Sequence, residues 1–432
     1  MGTATTNRLA SYDEALTFAA QASQVFQPRS PITTKDLFAG RWNELTKISD
    51  AVHQPGLHVV IYGERGVGKT SLANVVRPTI RALDELDKKR GETPKRLVIK
   101  AIGTTEDTFS TIWDKLFAEI TWPTEEPAIG LQGEKKIKDL TTRESFSLED
   151  DLHVNEVRKV LSHLPGAVFI VDEFDRTTEG TSTEFTDLIK TLFDLAFDCT
   201  VILVGVSETV ENLIADHASI SRALVQIPLP RMKANELRII LANAEKTLGV
   251  AFDEDAASLI VHVSQGLPHY THLIGLHAVR NAALSRLSKT IKREDVVDAL
   301  KAAVKDAEQT ITQKHSTATH SSHKDALYRH VLVACALAAA RSHDALGYFN
   351  PSDVVAPLAR ILGRPVTIAT FANHLSEFSQ EKRGFVLEKD GQPWGYRYRF
   401  REPLLVPFAF MNGVDSGLLN GDALVQMLHE DV

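Results

Sequence analysis

The sequence is poor in cysteine and lacks any long hydrophobic run. Its two cysteines, Cys199 and Cys335, lie far apart and show no metal-type spacing, so we expect buried apolar residues in a reducing cytoplasm. No apolar stretch approaches the roughly 20 residues that a membrane-spanning helix needs. The first residues also lack a basic start followed by an apolar stretch, so no secretory signal is expected. These absences favour a cytoplasmic protein that does not enter a membrane.

Basic residues do not outnumber acidic ones in this chain. The formal net charge at pH 7 is −8, which argues against a protein that coats nucleic acid along its whole surface. A local basic patch is still compatible with this balance. The length of 432 residues, with an ordinary globular composition, favours two or three domains.

Short runs rich in β-branched residues alternate with helix-length segments in the first half of the chain. Continuous apolar runs of this kind are typical of parallel strands that are buried on both faces. The alternation predicts a three-layer α/β/α domain. The five predicted strands are residues 57–62, 96–102, 167–172, 200–206 and 224–229.

Changes of pattern along the chain predict the remaining organisation. A polar stretch at 122–151 interrupts the strands as a surface insertion, and four helical patterns follow the last strand. A Ser/Thr/His-rich stretch then predicts a solvated linker, which we prefer to a metal site at its histidines. The expected segments are an N-terminal extension (1–35), the α/β domain (36–230), a helical lid (231–309), the linker (310–324), a C-terminal domain (325–412) and a tail (413–432).

The stretch "IYGERGVGKTSL" fits a loop that binds phosphate groups. Gly63, Gly68, Lys69 and Thr70 form the pattern G-x-x-x-x-G-K-[ST] between a predicted strand and a predicted helix. Lys69 would reach the β- and γ-phosphates of ATP, or the β-phosphate of ADP, and the Thr70 hydroxyl would bind Mg²⁺. The expected nucleotide-binding residues of this loop are Gly63, Glu64, Arg65, Gly66, Val67, Gly68, Lys69, Thr70 and Ser71.

The stretch "VFIVDEFD" supplies two carboxylates at the end of a predicted buried strand. Asp172 would hold the Mg²⁺ shell, and Glu173 would polarise the water that attacks the γ-phosphate. The alternative is a pair of solvated acidic residues in a turn. Only a nucleotide that is hydrolysed needs a water-activating carboxylate, so the pair favours an ATPase.

Two further polar residues follow the later strands. Ser207 would either position water near the γ-phosphate or cap the next helix, and the sequence favours neither role. Arg222 would stabilise transition-state charge at the nucleotide of a neighbouring subunit, or it is a surface arginine. The first role of Arg222 implies a homo-oligomer or a partner ATPase subunit.

These motifs, with "LFAGR" at 37–41, stand in the order seen in AAA+ P-loop ATPases. The chain over about residues 36–410 resembles the origin-recognition branch and the related STAND switch ATPases. The resemblance implies that Gly40 and Arg41 lie near the adenine and the phosphates. It also implies that Pro268, in the G-x-P motif "GLP", packs near the adenine. Origin-recognition proteins usually carry a lid arginine near this point, and this chain has His269 instead.

The last part of the chain predicts a winged helix. Three helical patterns precede a β-hairpin pattern at 384–403. Its alternation "YRYRFRE" places arginines on one strand face and aromatic residues on the other. This face would contact double-stranded DNA, stay solvated or dock on acidic protein surface. The candidate DNA contacts are Arg364, Arg383, Arg397, Arg399 and Arg401.

Two functions are compatible with this sequence. The first is an ATP-dependent assembly factor that contacts DNA, of which an adaptor for a transposase or nuclease is a variant. The second is a STAND-like signalling or defence switch that holds ADP and recruits an effector protein. Both bind and hydrolyse ATP with Mg²⁺.

Overall fold

A computed structural model describes residues 8–34, 38–89, 96–126, 136–214, 220–323, 326–342, 344, 347–393 and 395–429. The chain divides into two compact units. We call Ile32–Glu64 with Gly68–Pro230 the sheet unit, and Met1–Pro31 with Arg65–Val67 and Arg231–Val432 the helical unit. Among the described residues, none of the helices combines the length and the apolar character that crossing a membrane requires.

The sheet unit is built on five parallel strands. They are β1 (His58–Gly63), β2 (Val98–Ile102), β5 (Ala167–Asp172), β6 (Cys199–Val206) and β7 (Leu224–Pro228), and they lie in the order β2-β5-β6-β1-β7. All five strands predicted from the apolar runs are therefore confirmed. The order places β1 and β5, which carry the two nucleotide motifs, on either side of β6.

Helices cover both faces of this sheet. Among the described residues of the unit, the helices are α2 (Trp42–Val52), α3 (Lys69–Lys89), α4 (Phe109–Ala118), α5 (Thr142–Phe146), α6 (Val154–Leu161) and α7 (Thr181–Asp194). Ile99 and Ala101 of β2 join the core around Trp113 of α4. The intervening Lys100 reaches Asn74 of α3. Because successive strand side chains point to opposite faces, α3 and α4 lie on opposite sides, and the predicted α/β/α class is confirmed.

The predicted surface insertion contains regular structure. Strands β3 (Thr121–Glu126) and β4 (Lys136–Thr141) pair antiparallel, and α5 follows directly. The Thr141 hydroxyl accepts the Glu144 amide, and the Glu144 carboxylate accepts the Thr141 amide, which fixes the start of α5. Residues 127–135 of this insertion lie outside the described residues.

The helical unit includes the N-terminal extension. Its helices are α1 (Tyr12–Val25), α8 (Ala234–Leu248), α9 (Glu254–Ser264), α10 (Pro268–Arg286), α11 (Arg293–Asp306), α12 (Gln309–Thr319), α13 (Tyr328–Arg341), α14 (Pro351–Leu362), α15 (Ile368–Phe378), α16 (Leu405–Asp415) and α17 (Gly421–His429). Two short strand pairs complete it, β8 (Ala251–Phe252) with β9 (Thr290–Ile291) and β10 (Leu387–Asp390) with β11 (Arg397–Phe400). The four predicted lid helices correspond to α8 to α11.

The prediction of a solvated linker at 310–324 is wrong for its first ten residues. They belong to α12, in which Ile311, His315 and Ala318 are buried. These residues are spaced i, i+4 and i+7, so they share one face of the helix. Burial lowers the pKa of His315 to about 4, and the described residues contain no group of three His, Cys, Asp or Glu side chains that could hold a metal.

The C-terminal elements follow the expected order of three helices and a hairpin. Helices α13, α14 and α15 precede the antiparallel pair of β10 and β11. Their assignment as a winged helix stays a prediction. The predicted tail boundary at residue 412 is wrong, because α16 continues to Asp415. Both cysteines are free and buried, as expected.

Candidate active site

The phosphate loop begins at Gly63, where the backbone at the end of β1 lies very close to the backbone of Leu229. Gly63 has a φ of 155°, and a Cβ at this position would lie 2.4 Å from the Leu229 carbonyl oxygen. Only glycine fits without displacing that carbonyl. The Gly63 carbonyl accepts the Ser207 amide, which ties the loop to the end of β6. The entry to the loop is therefore fixed by β6 and by the residue after β7.

Lys69, the first residue of α3, is folded back over its own loop. Its ammonium donates to the carbonyls of Gly63 at 2.9 Å and Glu64 at 2.8 Å. The side chain is buried, and its charge lies at the N-terminus of a 21-residue helix. This end of α3 is the ordinary place for a phosphate group. The hydroxyl of Ser71 accepts the Ile32 amide, so it serves the local backbone.

The middle of the loop has its contacts in the helical unit. The Arg65 guanidinium pairs with Glu308 at 2.9 Å and with Glu402 at 3.1 Å. A Cβ at Gly66 would lie 2.8 Å from the Leu404 side chain, and Val67 is buried. Arg65 therefore forms two ion pairs in this structure. The phosphate-loop motif alone did not predict these contacts.

The predicted Mg²⁺ ligands lie together. The Thr70 hydroxyl and the Asp172 carboxylate approach to 3.4 Å, and the Asp172 side chain is 4% exposed. A hydroxyl and a carboxylate are oxygen ligands of the kind that Mg²⁺ prefers. These two residues therefore fit the metal. The second Asp172 oxygen accepts from the Lys100 ammonium at 2.7 Å.

Glu173 and Asp175 have different environments. Glu173 has a φ of 54° and forms an ion pair with Arg176 in the turn after β5. Its carboxylate is about half exposed. Asp175 instead accepts the Val206 amide at 2.7 Å and thereby fixes the end of β6 beside the end of β5.

The two residues predicted beyond the loop differ in their surroundings. The Ser207 hydroxyl donates to the Thr209 carbonyl at 2.6 Å, a local turn contact. Arg222 is exposed and forms no ion pair within the part of the chain that the structure describes. Its position leaves the guanidinium available at the surface, whereas Ser207 has a structural contact.

Gly40 and Arg41, the residues expected near the adenine, lie in a turn, and the Arg41 side chain contacts the backbone at Pro230. Gly40 and Arg41 both have left-handed backbone conformations, immediately before α2. The buried Arg41 guanidinium donates to the Pro230 carbonyl and lies 3.6 Å from Glu44. This contact makes Arg41 a link between the start and the end of the sheet unit.

The G-x-P motif forms a tight entry to α10. Gly266 has a φ of 76°, and a Cβ there would lie 2.6 Å from the Arg231 side chain. Its carbonyl accepts the Met232 amide, and Pro268 is the first residue of α10. His269 donates through Nδ1 to the Pro28 carbonyl, and burial lowers its pKa. His269 therefore serves the N-terminal segment of the helical unit.

The arginines expected to contact DNA mostly have acidic or aromatic partners. Arg397 pairs with Asp390 and Asp344, and Arg399 pairs with Glu388. Arg383 lies 3.6 Å from the Glu377 carboxylate, contacts the Tyr328 ring and donates to the Ala318 and His320 carbonyls. Arg401 contacts the Phe385 ring, and Arg397 and Arg399 also contact the Tyr348 ring. Arg364 is exposed just before α15 and forms no ion pair among the described residues.

Sequence reasoning missed four polar residues around the motifs. They are Asn74, Lys100, Asp175 and Arg176. Lys100 carried a visible signal, because it is a charged residue inside the apolar run "RLVIKAI". Asp175 and Arg176 resembled ordinary turn residues, and their contacts depend on how the strands are ordered.

The family of this chain follows from its sequence over these same elements. A model of the family "Novel STAND NTPase 1" matches residues 29–335. The chain belongs to this family. The match covers the phosphate loop, Asp172, Glu173 and the G-x-P motif, and the predicted resemblance to STAND ATPases is confirmed. No curated protein matches the sequence.

Solved structures with a similar chain trace share little sequence with this STAND protein. The ORC1 protein of Aeropyrum pernix in complex with DNA is 17% identical, with a TM-score of 0.46, and the match covers 91% of this chain and 97% of that one. The ORC2 protein of the same organism, in ADPNP–ADP complexes, is 15% identical, with a TM-score of 0.45 and coverage of 93% and 97%. The Walker-type ATPase of Pyrococcus abyssi is 15% identical, with a TM-score of 0.46 and coverage of 89% and 99%.

Proposed function

We propose that this protein binds ATP and ADP with Mg²⁺, hydrolyses ATP, and uses the bound nucleotide as a switch. The observation that carries the proposal is the approach of Thr70 to Asp172 beside a buried lysine at the N-terminus of α3. The loop and the lysine are the groups that hold the phosphates of a nucleotide, and the hydroxyl and the carboxylate are ligands for the Mg²⁺ that accompanies them. The two free, buried cysteines fit a cytoplasmic location.

Each residue of the site has a part in hydrolysis. Lys69 leaves the carbonyls of Gly63 and Glu64 and binds the β- and γ-phosphates. Thr70 and Asp172 would hold Mg²⁺, which would supply positive charge against the charge that develops on the phosphate oxygens. Glu173 orients a water molecule and takes its proton, for which its carboxylate must be free of Arg176. The Ser207 amide donates to the Gly63 carbonyl, which supports a role for Ser207 in positioning that water once its hydroxyl leaves the Thr209 carbonyl.

A switch is favoured over a fast motor by two features. The chain is a STAND NTPase over residues 29–335, and Glu173 is already engaged by Arg176. Gly266 and Pro268 shape the entry to α10, where the G-x-P motif would contact the adenine. We propose that Arg222 completes the site of a second copy when ATP drives assembly, and that the assembled form recruits an effector protein.

Contact with double-stranded DNA is a second candidate. The observation in its favour is the exposed first half of α15, where Ile368 is 43% exposed and Arg364 stands exposed just before it. The partnered Arg397 and Arg399 weigh against the hairpin as the main contact, because binding phosphate there requires breaking ion pairs. An assembly factor on DNA would use Arg364 and the α15 face.

The nucleotide content and turnover of the purified protein test the switch. A switch is expected to purify with ADP and to hydrolyse ATP slowly, whereas Lys69→Ala is expected to purify without nucleotide. Rapid turnover by a nucleotide-free protein contradicts the switch. For DNA, salt-dependent binding of a duplex that Arg364→Ala weakens more than Arg397→Ala supports the second candidate, and no binding at low salt rejects it.

A further inference from the structure

Lys100 is a charged residue in the middle of the buried strand β2. Its neighbours Ile99 and Ala101 belong to the hydrophobic core, and its side chain is only 23% exposed. Burying an ammonium group costs free energy unless it has partners. The partners of Lys100 are Asp172 at 2.7 Å and Asn74 at 2.6 Å.

The pair with Asp172 involves the carboxylate that is expected to serve Mg²⁺. One Asp172 oxygen accepts from Lys100, while the other accepts from the Glu173 amide at 3.0 Å and lies 3.4 Å from the Thr70 hydroxyl. Strand pairing enforces this arrangement, because Ile102 of β2 is opposite Asp172 of β5 and places Lys100 two residues back on the same strand face. The lysine is therefore built into the site by the fold.

A fixed positive charge beside a metal ligand changes the electrostatics of that site. The ammonium balances the charge of Asp172, so a nucleotide phosphate near the carboxylate meets less repulsion. The same ammonium repels a divalent cation and competes with it for an Asp172 oxygen. Both effects are strong where the side chains are buried, because screening by water is weak there.

We propose that Lys100 is a built-in counter-ion of Asp172 that lets the site bind nucleotide without Mg²⁺ and weakens its hold on the metal. This inference deepens the proposed function and rests on it. It assigns Lys100 as a positioning residue, which acts on metal and nucleotide through Asp172. Affinity for ADP then depends little on Mg²⁺, and exchange of the metal does not release the nucleotide.

Binding of the fluorescent nucleotide mant-ADP, in excess Mg²⁺ and in EDTA, measures this coupling. The readout is the ratio of the dissociation constant in EDTA to that in Mg²⁺. For the wild-type protein we expect a ratio below about 10, and Lys100→Met should raise it at least about tenfold, because the uncompensated carboxylate then repels ADP and attracts the metal.

Two single variants and one double variant control for loss of structure. Lys100→Arg keeps the charge and is expected to keep the wild-type ratio. Lys115→Met removes a second lysine–aspartate pair of the sheet unit, with Asp107 at 2.5 Å, and is also expected to keep it. Lys100→Met combined with Asp172→Asn leaves no unpaired buried charge, so it keeps the measurement possible if Lys100→Met alone does not fold.

The possible results distinguish failure of the role of Lys100 from failure of the proposed function on which it rests. Replacing Lys100 by Met in the Asp172→Asn background should change the ratio much less than the same replacement does in the wild-type protein, because the carboxylate through which Lys100 acts is gone. An unchanged ratio in folded Lys100→Met overturns the counter-ion role while the nucleotide site stands. An effect of Lys100→Met that is as large in the Asp172→Asn background as in the wild-type protein overturns action through Asp172. Wild-type protein that does not bind mant-ADP under either condition overturns the proposed function and the inference together.

Discussion

The carboxylate of Glu173 forms an ion pair with the guanidinium of Arg176, three residues later in the turn that follows β5. Glu173 is the residue expected to activate water, and it occupies a left-handed backbone position with a φ of 54°. The pair is about half exposed, so it is weak enough to open when water and the γ-phosphate arrive. The structure thus holds Glu173 in a contact that competes with its proposed task.

Arg176→Ala should raise the basal rate of ATP hydrolysis. Removing the guanidinium frees the Glu173 carboxylate, and an exposed pair of this kind is worth up to about 1 kcal/mol, which corresponds to at most about a fivefold increase. Steady-state phosphate release measures the rate. The same change in a Glu173→Gln background should have no effect. A decrease in the single variant would show that Arg176 assists hydrolysis and does not restrain it.

Gly63→Ala should destabilise the sheet unit and abolish nucleotide binding. Its new Cβ would lie 2.4 Å from the Leu229 carbonyl oxygen, so the loop or that carbonyl must move. Gly180→Ala is the matched control, because Gly180 also has a positive φ, 94°, but a Cβ there meets no atom within 4 Å. Denaturant unfolding should show a larger loss for Gly63→Ala than for the control, which is expected to lose about 1 kcal/mol. Equal losses would contradict the close approach.

Stability should fall as the pH drops below about 6.5, in part because of His58. Complete burial lowers the pKa of His58 to about 3, and its Nδ1 accepts the Val201 amide, which requires the neutral ring. Between pH 6.5 and 3 the unfolded chain therefore binds a proton that the folded protein does not, and stability decreases with falling pH. Between pH 7.5 and 5, His58→Gln should lose about 2 kcal/mol less than the wild type. Urea unfolding at the two pH values measures both losses, and identical losses would contradict the burial of a neutral ring.

The sheet and the phosphate loop could be predicted because their signals are local. An apolar run such as residues 167–172 identifies a strand whichever strands lie beside it in the sheet. The phosphate-loop pattern likewise identifies its loop from consecutive residues alone. The contacts of Lys100 with Asp172 and of Asp175 with Val206 depend on β2, β5 and β6 being neighbours, which no single segment encodes. Tertiary pairing of strands therefore decides the part of the site that sequence did not reveal.

The helix α12 escaped prediction for a different reason. Its composition is polar, and its buried face consists of Ile311, His315, Ala318 and Thr319. In a polar stretch of this kind the sequence predicts that a histidine is solvated. His315 is instead buried among the other residues of this face. Packing against other helices stabilises this segment more than its own propensity does.

Lys69 is expected to bind the nucleotide, and Glu173 is expected to activate the water molecule that hydrolyses it. The most direct test is ATP binding and single-turnover hydrolysis by Lys69→Ala, Glu173→Gln and the parent protein in Mg²⁺. We expect Lys69→Ala not to bind ATP. We expect Glu173→Gln to bind ATP like the parent but to hydrolyse it at least about 100-fold more slowly, as for loss of a general base. A Glu173→Gln protein that hydrolyses ATP at the parental rate would contradict the account.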